Sequence, residues 1–185
     1  MKRKKLPLRR NVCMLVFNKN GKLFLGERAG KVKGKWQFPQ GGVEPTLRLK
    51  QNVYKELLEE LGLQPQHIGK LVKLKARHSY EWDTPPAYAR GKWRGQRQTF
   101  WLVEFLGKNS DINLEADEEP ELQSWKWCTP NQVLKLAEEK RIPGYLAPLA
   151  EVEPLLNTVK STSSGQLIRK TSKGRLASKA SRMVR

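Results

Sequence analysis

Apolar residues recur along this chain in two rhythms. Residues 11–17 (NVCMLVF) and 22–26 (KLFLG) are short apolar runs flanking Asn18-Lys19-Asn20-Gly21. Asn-Gly between such runs predicts a β-hairpin, because both residues tolerate positive φ. Residues 68–76 (IGKLVKLKA) and 99–106 (TFWLVEFL) predict two more strands. Trp125 and Trp127 alternate with polar positions as in a half-buried strand. The rhythm changes over 46–61, where Val53, Leu57, Leu58 and Leu61 recur at helical spacing. Thr46 is placed to cap that helix, and Gly62 to follow it in the left-handed conformation. A second helix is predicted from Thr129-Pro130, with Pro at the first helical position, to Glu139. A third spans 145–158, interrupted by Pro148 and Pro154. Residues 77–98, rich in Arg, Pro and aromatic residues, read as a long irregular loop, a kind that is usually functional or disordered. Residues 115–121 form an acidic loop.

At 185 residues the chain predicts one globular domain with loose ends. Charge divides it further. The formal net charge is +18. Six Lys/Arg stand in 1–10 and eight in 160–185, whereas all eighteen acids lie in 11–159 against twenty-two bases. The expected organisation is a basic N-terminal arm (1–10), a domain (11–159) and a basic, disordered C-terminal tail (160–185). The tail lacks aromatic residues and cannot bury enough to order itself. Basic ends suit a polyanionic partner, nucleic acid before an anionic membrane, or serve solubility alone. Cys13 and Cys128 sit in apolar runs without disulfide or metal spacing, as reduced core residues do. No apolar run approaches the roughly 20 residues of a membrane span, nor does the start have a signal-peptide h-region. The expected compartment is the cytoplasm, without a membrane partner.

The predicted helix 46–61 carries a feature that packing does not need. Glu56, Glu59 and Glu60 stand at i, i+3 and i+4, on one face and away from the leucine stripe. Close carboxylates repel unless a cation sits among them, and Mg²⁺ takes carboxylate oxygens while keeping waters and phosphates as further ligands. The alternative is a solvated acidic face paired with lysines such as Lys55. Gly41-Gly42 stands just before the helix, where two glycines let backbone approach a phosphate. His67 and His78 have neither metal-ligand spacing nor a nucleophile pattern, and no catalytic role is assigned to them.

From Gly41 to Leu63 the chain resembles the Nudix box, G-x5-E-x7-R-E-U-x-E-E-x-G-U with U aliphatic. Gly41, Glu56, Leu57, Glu59, Glu60, Gly62 and Leu63 fall on the pattern. Leu47 and Lys55 depart from it, standing where the family has Glu and Arg, a pair understood to brace the loop–helix junction. The departure threatens bracing more than metal binding, since a Lys can reach water. The segment 34–42 (GKWQFPQGG) and 95–101 (GQRQTFW) are similar to those of bacterial RNA pyrophosphohydrolases and plant-type diadenosine polyphosphate hydrolases. Pro120-Glu121 before Trp125-x-Trp127 resembles the loop that brings a further metal-binding glutamate.

The resemblance implies an α/β fold, the Nudix α/β/α sandwich with a mixed β-sheet between helices. It implies Mg²⁺, with Mn²⁺ as a substitute, held by Glu56, Glu59, Glu60 and Glu121, and Glu56 or Glu60 as the base for an attacking water. The metals would polarise the phosphoryl group and neutralise the leaving phosphate. Substrate contacts fall on Arg9, Arg28, Gln40, Gly41, Gly42, Arg97, Lys140 and Arg141. Tyr80 and Trp82 are placed for base stacking, which is worth roughly 1–3 kcal/mol per base, or else for core filling. The implied activity is hydrolysis of a pyrophosphate linkage, with 5′-triphosphorylated RNA as first substrate and a dinucleoside polyphosphate as the alternative. A reading of another class is a degenerate domain that binds RNA or a nucleotide without cutting it.

Overall fold

A computed structural model describes residues 6–159 of the chain. The first strand, β1 (Leu8–Phe17), begins inside the stretch expected to be a basic arm, so Arg9 and Arg10 belong to the sheet. The five residues before Leu6 and the tail from 160 lie outside the described residues. Strand β1 is buried from Asn11 onward on both faces, as expected of a central strand without alternating polarity. It turns at Asn18–Gly21, where the Asn18 side chain accepts the Asn20 and Lys22 amides and Gly21 takes φ 64°. This is the expected hairpin turn, into β2 (Leu23–Arg28).

Short strands β3 (Trp36–Gln37) and β4 (Gln40–Gly42) follow, then helix α1 (Leu49–Leu61). Three further strands are β5 (Ile68–Glu81), β6 (Gly95–Phe105) and β7 (Leu122–Cys128). Helix α2 (Pro130–Leu136) and a helix over 142–159, α3, complete the order. The strands form one mixed sheet, β3-β2-β1-β6-β5, with β4 added to β1 and β7 to β2. Strands β1 and β6 run parallel in unbroken register from Leu8↔Gly95 to Phe17↔Glu104, and the other pairs are antiparallel.

Each face of the sheet carries its own core. Val12, Met14, Val16, Trp101 and Val103 meet Val53, Leu57 and Leu61 of α1. Cys13, Leu15, Phe100 and Leu102 meet Val133 of α2 and Tyr145, Leu149, Val152 and Leu156 of α3. Helices thus cover both sides of a mixed sheet, the expected α/β/α sandwich. Both cysteines are buried and free.

Several expected boundaries move. Helix α1 starts two residues late: Arg48, not Thr46, is its N-cap, and the Gln51 side chain accepts the Arg48 amide. Gly62 closes α1 at φ 66°, as predicted. Leu58, expected in the apolar stripe, is 43% exposed, because Val53, Leu57 and Leu61 already fill the sheet side. The irregular loop shrinks to 82–94, since β5 and β6 pair as far as Glu81↔Gly95. Period-two alternation of His78 and Tyr80 with exposed neighbours runs beneath that segment's loop-like composition. Helix α2 ends at Leu136 and not Glu139, where the Glu138 amide turns to the Trp36 carbonyl. Helix α3 runs through Pro148 and Pro154 unbroken. Its packed face compensates the hydrogen bonds those prolines remove.

Candidate active site

At one end of the sheet, α1, β4 and the loops around Glu121 and 82–94 enclose a cleft. Its chemistry begins with α1. Glu56 and Glu60 are buried where the helix meets β4, and Glu56 and Glu59 line the cleft. The glycines of β4 make room for them. A Cβ built on Gly41 would lie 1.7 Å from Oε2 of Glu56, so that carboxylate occupies the space a side chain would fill. A Cβ on Gly42 would likewise meet the Arg9 guanidinium, 1.9 Å from one of its nitrogens. The two glycines therefore seat an acid on one side of β4 and a base on the other.

Burial has an electrostatic consequence. Desolvation pushes the Glu56 carboxyl up to about 7; the charges of Glu59 and Glu121 add to the rise, while Lys55 and Arg9 oppose it. Glu60 is also held well above the usual carboxylate range, by burial first and then by Glu121. Its Oε1 accepts the Gln40 amide at 3.2 Å, but Oε2 is buried with no partner. Glu121 reaches this group from the loop before β7, where its carbonyl accepts the Ala29 amide. Among the described residues no three acidic or imidazole side chains already converge as a closed ligand set. Glu59 is held by Lys55 at 2.5 Å. Even so, hard oxygen donors, an orphaned buried carboxylate oxygen and mutual repulsion suit a divalent cation.

The two departures from the box are answered nearby. Lys55 bonds Glu44 at 3.2 Å, so an acid three positions before Leu47 takes the vacated part. Asn52, fully buried, accepts the Glu44 amide at 2.7 Å and donates to the carbonyls of Glu44, Leu47 and Arg48. One side chain thereby pins the turn that joins β4 to α1.

Most of the expected substrate contacts line the cleft: Arg9, Arg28, Gln40, Gly41, Gly42, Tyr80, Trp82, Lys140 and Arg141. Lys140 and Arg141 are both bound to Glu138, at 3.1 and 3.2 Å. Arg97 is not brought there. Neighbours on a strand face opposite ways, and Gln96 and Gln98 take the cleft side while Arg97 is exposed on the α1 side. Gln98 donates to Gln40 at 2.8 Å, and Tyr80 Oη donates to Gln96 at 3.0 Å.

Sequence reasoning missed other lining residues. Asn11 and Gln37 are buried in the cleft floor, each with an amide oxygen lacking a partner among the described residues. His78, given no role, stacks on Tyr80 at 5.8 Å, and Tyr80 and Trp82 meet edge to face. Tyr88 and Trp93 hold the Arg9 guanidinium at 5.0 and 5.7 Å from their ring centres. Alternation along β5 could have found His78; nothing local marks Tyr88 or Trp93.

Comparison with known proteins agrees with this geometry. A family model described as the NUDIX domain matches residues 7–148. The chain is 33% identical over 148 residues to an RNA pyrophosphohydrolase of Zymomonas mobilis, covering 79% of this chain and 95% of that one. It is 32% identical over 155 residues to an RNA pyrophosphohydrolase of Rickettsia conorii, covering 82% and 93%. Among solved structures it is similar in fold to a NUDIX hydrolase of Listeria monocytogenes, with TM-score 0.58, 17% identity and 83% and 97% coverage. The Ap4A hydrolase of C. elegans, as a binary complex, gives TM-score 0.55 at 17% identity, covering 78% of this chain and 98% of that one.

Proposed function

The chain belongs to the Nudix family and is a pyrophosphohydrolase, and from that premise we propose that it removes pyrophosphate from 5′-triphosphorylated RNA with the help of Mg²⁺. The observation that carries the catalytic part is the Glu56 carboxylate seated in the space above Gly41, beside the orphaned oxygen of Glu60. A purely nucleotide-binding groove has no use for buried carboxylates that repel one another and the ligand. RNA is favoured by the two relatives named for it and by the strongly basic balance of the chain. Backbone phosphates supply much of the affinity for such a partner.

Glu56, Glu59, Glu60 and Glu121 would hold the divalent cation, Mg²⁺ or Mn²⁺ in its place. When bound, it supplies positive charge against the phosphate oxygens and the leaving group. The chain's own groups do the rest. Arg9, Arg28, Lys140 and Arg141 bind the polyphosphate, and the Gly41-Gly42 backbone lets it lie close. Glu56 or Glu60 takes the proton of the attacking water. The first base of the RNA rests on the Tyr80–Trp82 wall, where stacking tolerates any base. The enzyme is expected to work in the cytoplasm.

The deciding assay incubates the purified protein with 5′-triphosphorylated RNA and with diadenosine tetraphosphate, with Mg²⁺ and with a chelator. Faster metal-dependent release of pyrophosphate from the RNA is expected. Preference for the dinucleotide would reassign the substrate, and turnover of neither would overturn the reading.

A further inference from the structure

The structure assigns a second anion-binding track outside the cleft, on the α1 side of the sheet, suited to the phosphodiester backbone of the RNA body. Its centre is Arg10 and Arg97. The parallel register of β1 and β6 sets these two residues side by side, Arg10↔Arg97. Arginines on adjacent strands and the same face repel, which a sheet does not need unless an anion bridges them. Both are exposed, and among the described residues neither guanidinium has a hydrogen-bond or ion-pair partner. The row continues across β5, where Ser79 stands opposite Arg97 and Arg77 opposite Thr99. Arg77 spends its guanidinium on the carbonyls of Leu74, Lys75 and Ala76. The acid on this stretch of β5, Glu81, is bonded by Arg94 at 2.9 Å. Arg10 and Arg97 are therefore the two cations of this row left to bind something else.

Position supplies the direction. Arg10 lines the rim of the cleft, next to Arg9 inside it. The catalytic glutamates approach from α1, on the same side of the sheet as Arg10 and Arg97. A strand whose first base rests on the Tyr80–Trp82 wall, on the Gln96 face, can pass over the Arg10 rim near the end of the sheet and continue along Arg97 on the α1 face. Guanidinium forks suit phosphate oxygens, and contacts of this kind position a nucleic acid without reading its sequence.

The test separates this track from the substrate reading, on which it rests. Equilibrium binding of a 5′-triphosphorylated RNA decanucleotide is measured across a salt series, with Ca²⁺ replacing Mg²⁺ to suppress turnover. The proteins are wild type, Arg97→Gln, Arg10→Gln with Arg97→Gln, the double Lys replacement, and Lys135→Gln on α2 as an off-track control. Each arginine lost should flatten the slope of log affinity against log salt by about 0.7, and the double Gln variant should bind roughly fivefold more weakly. The Lys variant should keep most of the slope. In parallel, Arg97→Gln should turn over a triphosphorylated dinucleotide as wild type does. An unchanged slope in the double variant, or an equal change in Lys135→Gln, would overturn the track. So would equal losses on dinucleotide and decanucleotide. Failure of the wild type to cut triphosphorylated RNA, with the binding differences intact, would overturn the substrate reading and leave the track standing.

Discussion

Gly41→Ala probes the active site at its tightest point. The new methyl carbon would stand 1.7 Å from Oε2, 1.8 Å from Cδ and 2.2 Å from Oε1 of Glu56. Ordinary contact needs roughly 3.5 Å, so the carboxylate must retreat by about 1.8 Å. The obstacle is the far end of a side chain and not backbone, so the fold should survive with α1 in place. A reacting constellation displaced by about 1 Å loses on the order of a hundredfold in rate. Glu56 is proposed here both as a cation ligand and as a base, and kcat should therefore fall by roughly a hundredfold or more, with weaker Mg²⁺ activation. Gly42→Ala is the natural comparison, because its methyl would strike the Arg9 guanidinium, 1.9 Å away, and leave Glu56 alone. That variant should raise KM by about tenfold, with kcat affected much less. Steady-state kinetics on triphosphorylated RNA, with a Mg²⁺ titration and a circular-dichroism melt for each variant, separates the two. If Gly41→Ala keeps kcat within threefold, or if both variants lose the same parameter, the division of acid and base by this glycine pair is wrong.

Three further outcomes are expected. Glu60→Gln and Glu59→Gln should each lower turnover by about two orders of magnitude, since every ~1.4 kcal/mol of lost transition-state stabilisation is a factor of ten; near-wild-type rates in both would remove this helix face from catalysis. Glu44→Gln should cost only about two- to fivefold in kcat, because its pair with Lys55 is half exposed, and Leu47→Glu with Lys55→Arg should restore the loss, additivity across that cycle arguing against a shared brace. Without divalent cations, thermal stability should fall as pH rises from 5 to 8. The folded Glu56 carboxyl keeps its proton to about 7, whereas an ordinary one loses it near 4.5, so the folded state binds more protons in that window. The difference is on the order of 3 kcal/mol, or roughly 5–10 °C in melting temperature. Glu56→Gln should shrink the fall, Mg²⁺ should offset it, and a melting temperature rising with pH would contradict the assignment.

The sequence was most legible where one side chain answers to one local rule. Gly62 ends α1 because a left-handed residue is needed there, and the Asn18–Gly21 turn follows from Asn and Gly alone. The spacing of Glu56, Glu59 and Glu60 placed three acids on one helix face. Legibility failed where partners come from afar. Arg97 was expected at phosphate, but a strand's facing is set by register, and Gln96 and Gln98 are the residues turned to the cleft. Tyr88 and Trp93 meet Arg9 only because the 82–94 loop folds over β1. Thr46 looked like the better cap, yet the turn is fixed by Asn52 from inside the helix, and the cap falls two residues later.

That buried asparagine has a wider consequence. Because Asn52 ties the carbonyls of Glu44, Leu47 and Arg48 and Lys55 finds its acid at Glu44, the junction no longer depends on an acid at 47 or on an arginine at 55. Position 47 is then free to drift and position 55 needs only a base, and a pattern search that insists on Glu and Arg there would pass over this chain although the acids proposed to hold the cation all remain. Seen from the side of descent, such scaffolding decouples the recognisable signature of a family from the machinery it advertises. Lineages with a comparable anchor at the fourth helical position are where box-less members of the family should be sought.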